Sequence, residues 1–413
     1  MDWQQNDDVW PSARIPESMV RLQDSQHTII PVTGAWRPGD DLGNRSFVQL
    51  EDFTTERGAT IPQPRIAFET WGSLNADQSN AVLVFHALTG DSHLTGPASA
   101  GHKTAGWWPE LVGPGKPIDT EQFYVVAPNV LGGCQGSSGP ASPDPDGREW
   151  GSRFPSVTIR DQVNAAALFS DAIGIDRWHT VVGGSVGGMH ALEWAISFPE
   201  RVERLAVLAA PARSSADTIA FGRLQHEAVT SDPFWLGGDY YDQPAGSGPH
   251  RGLALARRIA LLTYRAPVEL NERFERLWQS ARDPLDGGRY QVESYLDFHG
   301  NTFTRRFDAG SYIRLLHAMN SHDVGRDRGG IEAALRRVTA RSLVLGIDSD
   351  RLFGVESQRE IAGSLQHSIH GPDPVVIESE FGHDGFLIET QKVGRHLTAL
   401  IHADEPTSDA LPI

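Results

Sequence analysis

Val181-Val182-Gly183-Gly184-Ser185-Val186-Gly187-Gly188 combines a β-branched strand end, a Gly-x-Ser-x-Gly turn and the first residues of a helix. A turn of this kind is sharp and strained, so that the Ser185 hydroxyl projects from the sheet edge as a nucleophile. The glycines leave room for strand and helix to pack closely. The helix dipole and the Val186 backbone N–H then face the point where an oxyanion develops. An ordinary Gly-rich strand-to-helix turn has no need of glycine at Gly183, Gly184 and Gly187 together. Gly136-Ser137-Ser138-Gly139 also offers serines, but no strand runs directly into it. It is expected to shape the pocket floor or to be simply a loop.

Outward from the elbow, short unbroken apolar runs recur. They are Ala81-Val82-Leu83-Val84-Phe85, Phe123-Tyr124-Val125-Val126-Ala127, Thr180-Val181-Val182, Leu205-Ala206-Val207-Leu208, Ser342-Leu343-Val344-Leu345 and Pro374-Val375-Val376-Ile377. Parallel strands covered on both faces require such runs. Two earlier strands are expected at 46–52 and 65–71, separated by Gly58, Pro62 and Pro64. Helices alternate with the strands. Thr158-Ile159-Arg160-Asp161 has the Thr-x-x-acid form that opens a helix, and Val163, Ala166, Ala167 and Ile173 supply its apolar face. Residues 186–197 continue from the elbow and stop before Pro199; residues 386–402 form a last helix. The alternation predicts an α/β domain with a mostly parallel central sheet. With the elbow where it is, the α/β-hydrolase fold is expected.

Between residues 214 and 340 the alternation fails. The stretch is charged and helical in pattern, with helices expected at 253–264 and 268–279 on either side of Pro267. It is expected to be a helical cap inserted over the strand ends, so that the core consists of 45–213 and 341–403. Residues 1–44 form an irregular N-terminal lead-in, and 404–413 a disordered tail.

In such a fold the triad partners follow in the order Ser, Asp, His. After the strand ending near Ile347 come Asp348 and Asp350; after the strand ending at Ile377 comes Gly382-His383-Asp384-Gly385. His383 is therefore the expected base. A buried carboxylate on its Nδ1–H fixes the tautomer and stabilises the imidazolium. Asp350 is the choice for that carboxylate over Asp348; for either, the alternative is a loop cap or a surface charge. In His86-Ala87-Leu88-Thr89-Gly90, just after a strand, the backbone N–H of Leu88 is the expected second oxyanion donor, beside that of Val186. His86 itself is expected to be structural. His93, His190, His317 and His322 show no partner pattern, and no His-x-x-x-His or comparable cluster suggests a metal. No Gly-x-Gly-x-x-Gly after the first strand and no Walker loop points to a dinucleotide or nucleotide cofactor.

The net charge of −17 argues against nucleic-acid or anionic-membrane partners, which need basic patches. No apolar run reaches the roughly 18 residues of a membrane span. Residues 1–8 are acidic and lack the features of a secretory signal, and the single Cys134 excludes an internal disulfide. A cytoplasmic location is expected. The residues themselves lead to serine acyl-enzyme chemistry, with either water or an alcohol taking the acyl group.

Beyond the elbow, further motifs run in order: His86-Ala87-Leu88-Thr89-Gly90-Asp91-Ser92-His93, Gly106-Trp107-Trp108, Asn129-Val130-Leu131-Gly132-Gly133-Cys134, Gly252-Leu253-Ala254-Leu255-Ala256-Arg257, Arg306-Phe307-Asp308-Ala309, His322-Asp323-Val324-Gly325-Arg326 and Gly382-His383-Asp384-Gly385-Phe386-Leu387. In these the chain resembles the homoserine O-acetyltransferases of methionine biosynthesis, over about residues 40 to 400, and most of all the actinobacterial members. The resemblance implies acetyl-CoA as donor, used as a co-substrate with no resident cofactor, and L-homoserine as acceptor. It also implies Ser185, Asp350 and His383 as triad, Arg257 and Asp384 as substrate contacts, and a homodimer through the cap. Chemistry agrees with the two contacts, because an amino acid carries a carboxylate for an arginine and an ammonium for a carboxylate. The chain departs from the family in having Val186 where Met is common, and in the pattern between Ala220 and Val229, which lines the cap. Succinyl transfer, serine as acceptor and acetylation of a secondary metabolite use the same scaffold, and a serine esterase would share the triad.

Overall fold

A computed structural model describes residues 29–402. Its centre is an 8-stranded sheet. In chain order the strands are β1 (Ser46–Gln49), β2 (Arg65–Trp71), β3 (Ala81–Phe85), β4 (Tyr124–Pro128), β5 (Trp178–Gly184), β6 (Val202–Leu208), β7 (Arg341–Ile347) and β8 (Val375–Ile377). Their spatial order is β1-β2-β4-β3-β5-β6-β7-β8. The pairings β4–β3, β3–β5, β5–β6, β6–β7 and β7–β8 are parallel, while β1 and β2 are added antiparallel.

The unbroken apolar runs follow from this arrangement. Side chains alternate across a strand. Leu83, Phe85, Val181, Leu205, Val207 and Val344 therefore enter one core layer. Val82, Val84, Val182, Ala206, Leu208 and Leu345 enter the other. Helices cover both faces. On the first lie α1 (Ile159–Ala172) and α2 (Val186–Ser197), which bring Val163, Phe169, Leu192 and Trp194. Thr158 and Asp161 form the capping box that the Thr-x-x-acid pattern predicts. Residues 186–196 of α2 are all buried, as befits a helix apolar on every side.

Between β6 and β7 run α3 (Ala216–Thr230), α4 (His250–Tyr264), α5 (Pro267–Phe274), α6 (Gln291–Phe303), α7 (Ala309–Asn320) and α8 (Ile331–Leu335). After β7 come α9 (Val355–Ala362), α10 (Gly385–Ile388) and α11 (Thr390–Ile401). The last brings Val393, Leu397 and Leu400 to the second core layer. None of the described helices is long and apolar enough to cross a membrane.

Several boundaries differ from expectation. The expected helix 268–279 stops at Phe274, because Glu275 takes φ +43° and turns the chain. The single helix expected over 386–402 is two, separated at Glu389 with ψ 47°. The first strand ends at Gln49, and Phe53–Thr54 pairs instead with Thr60–Ile61. The expected tail 404–413 and residues 1–28 of the lead-in lie outside the described residues. Residues 29–44 are irregular yet well anchored. The buried Asp308 carboxylate accepts hydrogen bonds from Thr33 Oγ1 at 2.8 Å, Tyr240 OH at 2.6 Å, Tyr241 OH at 3.0 Å and Ser311 N at 2.7 Å. Thr33 is thereby tied to the start of α7.

Candidate active site

Ser185 joins β5 to α2 with φ 59° and ψ −127°, a conformation that costs free energy in any residue with a Cβ. Close packing holds it there. A Cβ on Gly183 would come within 2.1 Å of Gly187 O, and one on Gly187 within 2.2 Å of Phe85 O. The Ser185 N–H is fixed to Leu208 O on β6 at 2.9 Å. Val186 is the first residue of α2, so its N–H has no intrahelical acceptor. Leu88 lies buried in the loop that leaves the end of β3, which turns by a Gly90 N–H to Ala87 O bond of 2.9 Å.

His383 stands on the short turn Gly382–Asp384 that follows β8. Its Nε2 is 2.8 Å from Ser185 Oγ, and its Nδ1 is 2.6 Å from Asp350 Oδ2. Asp350 Oδ1 accepts the N–H groups of Leu352 at 2.8 Å and Phe353 at 2.9 Å, which orients the carboxylate. The Phe353 and Phe386 rings pack edgewise on the imidazole at 5.2 Å and 5.5 Å. Burial opposes a charge on His383, but Asp350, by proximity and by hydrogen bond, together with Asp384, outweighs it and lifts the pKa above its ordinary value. Asp348 is exposed and accepts the Ser379 N–H at 2.9 Å, as a loop cap does.

The helices between β6 and β7 also reach the site, for the one over His250–Tyr264 packs on the Gly382–Asp384 turn. Arg257 of α4 lies over the Tyr264 ring, 5.4 Å from its centroid, and that ring is 6.0 Å from the His383 ring. Asp384 is buried next to His383, and Arg265 Nη1 reaches its Oδ2 at 3.5 Å. Burial raises the Asp384 pKa, against the opposing pull of Arg265, His383 and Arg257. Arg265, itself buried, also pairs with Glu269 at 2.6 Å. Sequence reasoning passed over Arg265, since its spacing to Glu269 looks like a surface helix pair.

His86 and the serines of the 136–139 loop find structural places. His86 Nε2 lies 3.1 Å from the Val130 N–H, and its Nδ1 2.7 Å from Ala87 O. The Oγ of Ser138 accepts the Arg65 N–H at 2.9 Å and that of Ser137 the Ala67 N–H at 2.9 Å, so this loop braces β2. Glu69, His93 and His102 do converge, all buried, with ligand-capable atoms within 4.8 Å of one another. Their spacing along the chain concealed this. His93 Nδ1 is 2.9 Å from Glu69 Oε2, Ser92 Oγ donates to Glu69 Oε1 at 2.9 Å, and the Asn44 N–H donates to His102 Nε2 at 3.1 Å. With that lone pair engaged, and the Arg45 charge acting on His102, the cluster suits a brace behind the 86–93 loop better than a cation site.

The family described as alpha/beta hydrolase fold matches residues 80–390. A homoserine O-acetyltransferase from Leifsonia xyli subsp. xyli is 58% identical over 98% of this chain and 100% of its own length. Among solved structures, a homoserine O-acetyltransferase from Bacillus anthracis is similar with a TM-score of 0.79 at 26% identity, over 89% of this chain and 99% of that one. Esterase E22 is similar with a TM-score of 0.78 at 26% identity, over 86% of this chain and 99% of that one.

Proposed function

The chain belongs to the homoserine O-acetyltransferase family of the α/β-hydrolase fold, and from that premise we propose that it moves the acetyl group of acetyl-CoA to the hydroxyl of L-homoserine through an acetyl-Ser185 intermediate. The products are CoA and O-acetyl-L-homoserine, for methionine biosynthesis. The observation that carries transfer over hydrolysis is a buried carboxylate, Asp384, next to His383 and a cap guanidinium, Arg257, on the far side of the Tyr264 ring that neighbours His383. Neither is needed to make or hydrolyse an acyl-serine.

In the first half-reaction His383 Nε2 takes the Ser185 proton as Oγ attacks the thioester carbon. The oxyanion is held by the N–H groups of Leu88 and Val186. Collapse expels the CoA sulfur, which leaves with the proton from His383. In the second half, the homoserine hydroxyl occupies the place of the thiol. Arg257 holds its carboxylate and Asp384 its ammonium, which positions the oxygen on the acyl carbon. His383 takes the hydroxyl proton, and collapse returns it to Ser185 Oγ. The scheme uses only this chain's residues and two substrates, with no resident cofactor or metal.

With acetyl-CoA and saturating homoserine, the wild type should give O-acetylhomoserine in large excess over free acetate. Arg257→Ala should lower that ratio by about 2–4 kcal/mol in specificity, the scale of a lost charge-assisted contact in a buried site. A ratio unmoved by the substitution removes Arg257 from the acceptor site. A wild type that yields only acetate would make the protein an esterase or assign it another acceptor.

A homodimer through the cap belongs to the same proposal, as does a cytoplasmic location. Leu224 on α3 and Leu255 and Leu262 on α4 are 52%, 46% and 41% exposed, an apolar strip that a second copy would cover. Light scattering should return twice the 45.2 kDa chain mass, and Leu255→Glu should bring it toward one. A monomeric wild type at micromolar concentration refutes the dimer.

A further inference from the structure

Two guanidinium groups reach the loop after β3 from the cap. Arg257 Nη1 lies 3.4 Å from Thr89 Oγ1. Arg306, in the turn between α6 and α7, donates from Nη1 to Thr89 O at 2.9 Å. Both lie against Phe303, with their central carbons 5.1 Å and 5.2 Å from its ring centroid. Through Tyr264, this pair stands one side chain away from the imidazole of His383.

Like charges so placed repel, and burial adds to the cost. Arg306 registers both, its pKa pushed down to about 10 by burial first and by Arg257 next. Arg265 and Arg328, by contrast, are neutralised in place, by Glu269 and by Glu193, while the buried Arg45 spends its N–H groups on Gln135, Leu42 and Gly101. Among the described residues, neither Arg257 nor Arg306 makes an ion pair with a carboxylate. Asp91 acts on Arg306 only through space, and Asp384 is bonded to Arg265. Only Nη1 of Arg306 is engaged by Thr89, so further N–H groups remain for a planar anion. Two neighbouring guanidinium groups with no carboxylate partner of their own are suited to hold an anion.

We infer that Arg306 is a second acceptor-binding residue, which together with Arg257 grips the carboxylate of the amino-acid acceptor. The inference rests on the transferase function proposed above. A carboxylate fits better than the phosphates of CoA. The pantetheine arm carries those phosphates far from the thioester, whereas these guanidinium groups stand one side chain, Tyr264, away from the imidazole that handles the reacting hydroxyl. Arg306 would also sense the acceptor at the oxyanion loop, through its bond to Thr89 O.

The test compares homoserine with homoserinamide, which keeps the hydroxyl and ammonium but lacks the carboxylate. Capture of each acceptor is normalised to the rate at which acetyl-CoA alone acetylates the same enzyme. Wild type should prefer homoserine strongly, and Arg306→Gln should lower that preference by about 100-fold, chiefly by weakening homoserine. Arg306→Lys, which keeps the charge, should recover part of it. A residue that merely braces the Thr89 loop would, when replaced, slow both acceptors and acetylation alike and leave the preference where it was. That result, or an unchanged preference with full activity, overturns the role of Arg306 alone. A wild type that makes no O-acetylhomoserine refutes the transfer reaction first, and the inference with it.

Discussion

Ser185→Ala is expected to abolish the single acetyl adduct that brief exposure to acetyl-CoA leaves on the wild type, and to lower turnover by on the order of 10⁶. The geometry explains the size of the loss. His383 Nε2 has its hydrogen-bond partner in Ser185 Oγ at 2.8 Å, and alanine offers no oxygen there. Ser137 and Ser138 cannot substitute, since their hydroxyls brace the backbone of β2. The fold should survive the change. The Ser185 bond to Leu208 is made by the backbone, and alanine bears a φ of 59° at about the same cost as serine. Intact mass is the direct measurement. An adduct that persists in the variant would place the nucleophile elsewhere. Steady-state kinetics of the wild type should be ping-pong, because CoA leaves before the acceptor reacts.

The sheet and the nucleophile turn were legible in the sequence because both are written locally. A parallel strand buried on two faces demands a continuous apolar run, and β3, β5, β6 and β7 each carry one. The elbow demands glycine wherever backbones meet, as at Gly183 and Gly187. Chain order after β7 and β8 was enough to select His383 and to narrow its aspartate to Asp348 and Asp350, which their contacts then separate. The cap was legible only as a region where strands cease. Its helix ends depend on single backbone turns such as that at Glu275, which no periodicity signals. The charged residues of the proposed acceptor site were the least legible. Arg306 meets its partner Thr89 217 positions away, and Arg265 meets Asp384 119 away. Nothing local distinguishes either from a solvated helix arginine. The Glu69–His93–His102 cluster escaped for the same reason, because its members meet only when β2 and the loop after β3 are folded together.

Asp350→Asn should reduce turnover by about four orders of magnitude, the scale of such a change in a serine triad, while Asp348→Asn should cost far less. The two aspartates stand two residues apart on one loop, and their contacts separate them. Asp350 Oδ2 is 2.6 Å from His383 Nδ1, and its Oδ1 is held by two backbone N–H groups. Asparagine there would present an amide N–H to one of those partners, either pushing His383 to the wrong tautomer or losing the loop bonds. The Asp348 carboxylate accepts the Ser379 N–H, a bond that the asparagine oxygen can still accept. The pH dependence gives an independent readout. The base works only when neutral, and the folded enzyme holds the His383 pKa above the ordinary 6.5, so acetylation of Ser185 should fall away on the acid side at a pH above that value. Asp350 supplies the leading forces that raise it, against burial, which lowers it. With the carboxylate gone, burial prevails, and the acid limb of whatever activity remains should move to lower pH. Asp348→Asn should leave the limb where it is. Equal losses in the two variants, the reverse order, or a limb displaced by Asp348→Asn and not by Asp350→Asn would give the orienting role to the other aspartate.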